Sequence, residues 1–219
     1  MQAGEHMDDT KMDVYFSRLW PLLSLLAGVL TTLAFAPFDL HWLVFITMAL
    51  PFYLWNRLTA KQAAVSGWLY GMGLQCSGVS WIYYSLHIHG SAPAAFALLL
   101  IFLLCCYLCI YTALAAYTVN RFLPDRPALR YMAFYPASWV VFEWLQGYVM
   151  TGFAWMQIGY TQIDLPLSGF APLLGNHAVG GLVALSAGML VLLIRQYRQK
   201  ELRLAISLAL PVLALWLAG

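Results

Sequence analysis

The sequence predicts an all-α polytopic membrane helix bundle with about seven transmembrane helices and a cytoplasmic N-terminus. Hydrophobic residues make up 63% of the 219 residues and charged residues only 9%, whereas a soluble domain has about 25% charged residues. The stretch 98–117 contains no charged residue, and a helix of this length crosses a hydrocarbon core about 30 Å thick. Lysine and arginine are confined to alternate connections between the apolar stretches.

Charges and clusters of proline and glycine divide the chain into a cytoplasmic tail, 1–18, and a transmembrane region, 19–219. The predicted spans are 19–36, 41–56, 63–86, 93–120, 130–151, 172–194 and 203–219. Gly67 and Gly71 give the third span a smooth face for close helix contact. The segment 152–171 is too polar, and too interrupted by Pro166 and Gly169, to be a lipid-facing helix. We expect an interfacial loop there, lying at the membrane surface or folded against the bundle.

The basic residues predict the orientation of the bundle. They lie before the first span and in every second connection: Lys11, Arg18, Arg57, Lys61, Arg121, Arg126, Arg130, Arg195, Arg198, Lys200 and Arg203. The other three connections contain none. Because lysine and arginine resist translocation across a membrane, the side that carries them is predicted to be cytoplasmic.

Several classes of site are disfavoured by the sequence. No basic groove, zinc-finger spacing or basic helix indicates nucleic-acid binding. Cys106 and Cys109 have C-x-x-C spacing, but their apolar neighbours favour packing over metal or redox chemistry. Histidines of the outer loops, His87 and His89 among them, allow a metal site built from imidazoles, or simply polar ends of helices. We favour the polar ends and predict no metal or other cofactor.

The candidate functional residues gather on the outer side of the predicted bundle. Phe153, Trp155, Tyr160 and Gln162 lie in the 152–171 segment. Aromatic residues settle at headgroup depth, so an ordinary interfacial belt is one interpretation. The alternative is a platform that admits a lipid from the side, with the rings against acyl chains and the polar groups bonded to the headgroup region.

Glu143 is the one acidic residue well inside a predicted span. A carboxylate there is costly and is a functional candidate by default. Gln146 lies about one helical turn away and is a candidate partner. A structural bond between helices and a role in binding substrate both remain open for Glu143. Trp81 and Tyr84 lie near the outer end of the predicted third span. For them too, an interfacial belt and a contact with substrate are both open interpretations.

These segments resemble the membrane part of the apolipoprotein N-acyltransferase family. The matching stretches are AFAPFD at 34–39, GVSWIYYS at 78–85, the residues 136–143, and the long run 151–175. The resemblance covers essentially the whole chain after the tail. It implies a multi-pass protein of the bacterial cytoplasmic (inner) membrane that acts in lipoprotein biosynthesis.

The resemblance also implies an activity for the full-length enzyme. It moves an acyl chain from a phospholipid to the amino group of a diacylglyceryl cysteine in an apolipoprotein. The reaction passes through a thioester on a nitrilase-like domain with a Glu-Lys-Cys triad. Trp155 corresponds to a tryptophan thought to line the substrate entrance. Ala154 replaces a usual proline, Gln146 a usual arginine, and His89 one glycine of a usual pair.

The chemistry of that triad is not expected within these 219 residues. The only lysines, Lys11, Lys61 and Lys200, fall on the predicted cytoplasmic side, and all four cysteines lie inside apolar spans. An activated thiolate beside a lysine and a glutamate therefore cannot form. We expect the membrane portion of the enzyme, cut before its catalytic domain and inactive alone. A scaffold for a separate nitrilase-like partner and a small transporter are the alternatives.

Overall fold

The computed structural model describes residues 3–198 and 210–217, with side chains from residue 18 onward. Across those ranges the chain is helical and has no strand. The six main helices are α1 (Ala3–Thr32), α2 (Leu43–Trp55), α3 (Ala60–Gly78), α4 (Ala94–Phe122), α5 (Tyr135–Gln146) and α6 (Asn176–Arg198). Residues 210–217 form a further helical segment. The prediction of an all-α protein is confirmed.

The number of membrane spans is supported only in part. Within the described residues, α4 and α6 are the two helices long and apolar enough to cross a membrane. The apolar segments Arg18–Thr32 and Leu43–Trp55 are shorter. Seven spans therefore remain a prediction.

Several predicted boundaries differ from the helix ends. α1 already begins at Ala3, inside the segment expected to be a tail. The third predicted span, 63–86, is a continuous α-helix only to Gly78, and its last residues belong to a π-helical segment, Tyr84–His89. The fifth, 130–151, ends as a regular helix at Gln146. The seventh, 203–219, lies mostly outside the described residues.

Glycine allows α3 to pack closely between α1 and α4. A Cβ atom on Gly73 would overlap the carbonyl oxygen of Leu25 in α1, and one on Gly67 would overlap the carbonyl oxygen of Thr112 in α4. The smooth face predicted for this helix is confirmed. Small residues are favoured at such contacts because they let two helix backbones approach each other.

Buried hydroxyl groups join α1 to both α3 and α2. The oxygens of Ser24 and Ser66 are 2.6 Å apart. Thr31 Oγ1 lies 2.9 Å from Tyr70 Oη and donates to Thr47 Oγ1 at 2.9 Å. Hydrogen bonds of this kind between helices satisfy polar groups that have no access to water.

α6 completes the bundle by packing against α2 and α5. The end of α2 is joined to α4 by Asn120, whose amide donates to the carbonyl oxygens of Trp55 and Leu58 at 2.6 and 3.1 Å. The Tyr135 hydroxyl donates to the side-chain oxygen of Asn120, Oδ1, at 2.9 Å. This bond ties the first residue of α5, the helix that carries Glu143, to α4.

We predict that Gly73→Val lowers the free energy of unfolding by about 1–3 kcal/mol, because the new side chain overpacks the contact with α1. Val65→Leu, an exposed change on the same helix, serves as the matched control and is expected to stay within about 0.5 kcal/mol of the parent. Thermal unfolding in detergent, followed by tryptophan fluorescence, measures both. Equal stability of the Gly73 variant and the control would refute the close contact.

Candidate functional site

The connection between α5 and α6 folds back on the bundle as a series of short turns. These are the 3-10 segments Val149–Thr151, Ile158–Gln162 and Pro166–Phe170 and the helical turn Ala171–Leu174. As expected for 152–171, the segment forms no long helix. Its position at a membrane interface stays a prediction.

Glu143 holds this connection to α5. Its side chain is only 8% exposed, and its Oε1 accepts a hydrogen bond of 2.8 Å from the backbone N–H of Ile158. One turn later, Gln146 forms two hydrogen bonds with Phe153. The backbone carbonyl oxygen of Gln146 accepts from the Phe153 N–H at 2.9 Å, and its side-chain Nε2 donates to the Phe153 carbonyl oxygen at 3.4 Å. Gln146, expected as the partner of Glu143, thus binds the loop instead.

The second oxygen of Glu143 faces α6. Oε2 lies 3.7 Å from His177 Nδ1, which is too long for a hydrogen bond. A Cβ atom on Gly180 would come within 3.2 Å of the same oxygen, so glycine at this position leaves room for the carboxylate. Glu143 therefore stands where α5, the loop and α6 meet. A role in binding substrate stays a prediction.

Three residues of the loop have backbone angles that non-glycine residues seldom adopt. The φ angles are 52° at Met150, 74° at Thr151 and 62° at Met156. For a β-branched residue such as threonine a positive φ is a true outlier. Such strain persists only where surrounding contacts impose it, and it concentrates at functional sites. The bonds from Glu143 and Gln146 supply that constraint.

An exposed aromatic cluster, which we call the aromatic platform, consists of Phe153 and Trp155 of the strained loop and Trp81, which follows α3. The ring centroids of Trp81 and Trp155 are 5.7 Å apart, and those of Phe153 and Trp155 are also 5.7 Å apart. Trp155 is 55% exposed and Trp81 44%. The structure thus brings together three of the seven predicted site residues at one surface.

The other predicted residues are placed differently. Tyr84 is exposed and packs edge-on against Tyr83, with centroids 6.2 Å apart. Tyr160 is also exposed. Gln162, which we expected to meet the polar part of a lipid, is fully buried and donates to Thr161 Oγ1 at 2.9 Å. The structure does not bring Gln162 to the surface.

Two further buried amides lie near Glu143: Gln157, which the sequence suggested as a contact for the polar part of a lipid, and Gln75, which was not singled out. Gln157 accepts a 2.8 Å hydrogen bond from Asn176 and so ties the loop to the start of α6. Gln75 of α3 is 5% exposed and shares a cavity with Glu143. The available signal was an amide inside an otherwise apolar segment, which must find a partner when buried.

The histidines of the predicted outer loops have different neighbours. His41 Nε2 is 3.9 Å from Asp164 Oδ2, His87 Nδ1 is 2.7 Å from the Ala92 carbonyl oxygen, and His177 is beside Glu143. Over the part of the chain that is described, no group of three or more His, Cys, Asp or Glu side chains is arranged to hold a metal ion.

Comparison with known proteins identifies similar sequences. A family model described as the apolipoprotein N-acyltransferase N-terminal domain matches residues 27–189. The apolipoprotein N-acyltransferase of Chromobacterium violaceum is 42% identical over 190 residues, which cover 86% of this chain and 36% of the relative. That of Pseudomonas syringae pv. tomato is 42% identical over 205 residues, covering 91% and 40%. That of Coxiella burnetii is 36% identical over 197 residues, covering 89% and 41%. The chain spans about two fifths of the length of these relatives.

We predict that Glu143→Leu destabilises the protein by about 1–3 kcal/mol, because it leaves the buried Ile158 N–H without an acceptor. The same substitution should accelerate hydrogen exchange at the Ile158 amide. Glu143→Gln keeps an acceptor oxygen and is the matched control, with exchange close to the parent. Hydrogen exchange read by mass spectrometry tests both. Unchanged protection in the leucine variant would show that the carboxylate does not hold the loop.

Proposed function

We propose a function on the basis that this chain belongs to the apolipoprotein N-acyltransferase family: it forms the membrane-embedded part of an acyltransferase of lipoprotein biosynthesis. In this proposal the bundle spans the bacterial inner membrane about seven times, with its N-terminus in the cytoplasm. The whole enzyme moves an acyl chain from a phospholipid to the diacylglyceryl cysteine of an apolipoprotein.

The observation that carries the proposal is the aromatic platform. Its tryptophans expose large apolar surfaces, and an aromatic ring buries about 150–250 Å² when it is covered. Acyl chains are apolar and flexible enough to cover such a surface. The platform is accordingly the contact surface for the acyl chains of a phospholipid that enters from the side.

An interfacial belt is the competing interpretation of the same rings. A belt needs tryptophan only at the right depth, without a fixed backbone around it. Here Trp155 adjoins Met156, whose φ is 62°, and Glu143 holds the loop two residues further on. Backbone strain of order 1–3 kcal/mol persists where structure imposes it. A loop fixed in this way favours a defined binding surface over a belt.

The acyl-transfer chemistry is assigned to residues outside the described bundle. Lys61 lies in the first turn of α3, whereas Gln75, which shares the cavity with Glu143, lies more than three turns later, about 20 Å along the helix. Cys105 and Cys109 are buried within α4. A nucleophilic thiolate needs an activating neighbour, and among the described side chains Lys61 is too far from Glu143 to form an activating pair with it. The bundle's role is lipid access.

We expect Trp155→Ala to reduce labelling of the platform by a photoactivatable phospholipid in vesicles. Loss of the ring contacts, of order 0.5–1.5 kcal/mol, corresponds to about a 2- to 10-fold decrease. Mass spectrometry of the peptides covering 78–85 and 151–160 measures the labelling. Trp144→Ala is the matched control, since Trp144 is similarly exposed but stacks with Tyr148. Equal decreases in the two variants would favour the belt.

We expect the 219-residue chain, reconstituted in phospholipid vesicles, to leave a diacylglyceryl-cysteine peptide unacylated. The reason is that, among the described side chains, Lys61 lies far from Glu143. Mass spectrometry of the peptide gives the readout. A variant with alanine at all four cysteines is the control for trace activity. If the parent chain acylates the peptide and this variant does not, the proposal that acyl transfer depends on residues outside the bundle is wrong.

A further inference from the structure

A small cavity with polar and apolar walls lies beneath the loop, between α3, α4 and α5. Its volume is about 20 Å³, and its walls include Gln75, Trp139, Glu143, Gln146 and Met156. The first four side chains are each more than nine-tenths buried. One water molecule needs about 10–15 Å³ of such volume together with two to four polar partners. The size therefore matches one water molecule.

Three wall residues have a buried polar atom whose hydrogen bonding is unsatisfied. Gln75 Oε1, Trp139 Nε1 and Glu143 Oε2 have no hydrogen-bond partner among the residues described. Two of these atoms are acceptors and one is a donor. Leaving any of them unpaired in an apolar interior is destabilising.

We propose that this cavity is a binding site for one ordered water molecule. The water donates to Gln75 Oε1 and Glu143 Oε2 and accepts from Trp139 Nε1, which uses three of its four hydrogen-bonding positions. The indole N–H disfavours a metal cation, because a cation repels a donor hydrogen. His177, beside the same carboxylate oxygen at 3.7 Å, is too distant to replace the water.

A water molecule at this site connects two helices, α3 and α5. The hydroxyl contacts of α3 described above go to α1, so the water adds a polar link from α3 to α5. This link ends at the Glu143 side chain, whose other oxygen accepts the hydrogen bond from the Ile158 N–H. The position of α3, which leads into the segment carrying Trp81, is thereby coupled to the loop that carries Trp155.

Gln75→Met, nearly equal in volume, tests the site through the sign of its effect on stability. If the water is present, the substitution removes one of its partners, and the melting midpoint should fall by about 2–4 °C. Exchange of the Ile158 amide should also accelerate. If Gln75 Oε1 is simply unpaired, methionine removes a buried unsatisfied acceptor, the midpoint rises, and the proposal fails.

Two further measurements use the unmodified 219-residue chain. A crystal structure that resolves ordered solvent should show one density peak within hydrogen-bonding distance of Gln75 Oε1, Trp139 Nε1 and Glu143 Oε2. A cavity without density would overturn the proposal. A midpoint that rises with sodium chloride but not with an equal concentration of choline chloride would place a cation there instead and would also overturn it.

Discussion

The hydrogen bond between the Glu143 carboxyl group and the Ile158 N–H is the interaction on which the connection between α5 and α6, with its aromatic residues, depends. Glu143 and Ile158 are both buried, so loss of this bond would leave a donor without an acceptor in an apolar interior, which is costly. The bond fixes the loop to α5, while Gly180 of α6 leaves space for the second carboxylate oxygen. One side chain thus joins two helices and the irregular segment between them.

That anchor explains how a strained loop can present aromatic rings at a defined place. Met150, Thr151 and Met156 adopt positive φ angles that a free loop would relax. The bonds from Glu143 and Gln146 bracket the segment that carries Trp155, and Gly78 leaves room for the Met156 side chain at the end of α3. Trp155 is therefore held beside Trp81. The same geometry that stabilises the fold thus creates the surface proposed to meet lipid.

Sequence reasoning predicted the features that follow from composition and side-chain chemistry. The helical class followed from the scarcity of charge, the close packing of α3 from its glycines, and the importance of Glu143 from the cost of a buried acid. The partner of Glu143 could not be predicted, because a backbone N–H has no sequence signature. Gln162 was expected at the surface but lies buried in a 3-10 turn, where contacts with distant helices decide which side chains face inward. The number of spans depends on lipid as well as on the chain.

Phospholipid photolabelling of the platform in Glu143 variants tests most directly whether the buried carboxylate creates the lipid-binding surface. It should be measured for Glu143→Leu and Glu143→Gln in vesicles, at a temperature where both variants are folded. The account predicts that the glutamine variant is labelled like the parent at 78–85 and 151–160, and that the leucine variant is labelled several-fold less. Equal labelling of both variants would contradict it, since the platform would then form without its anchor.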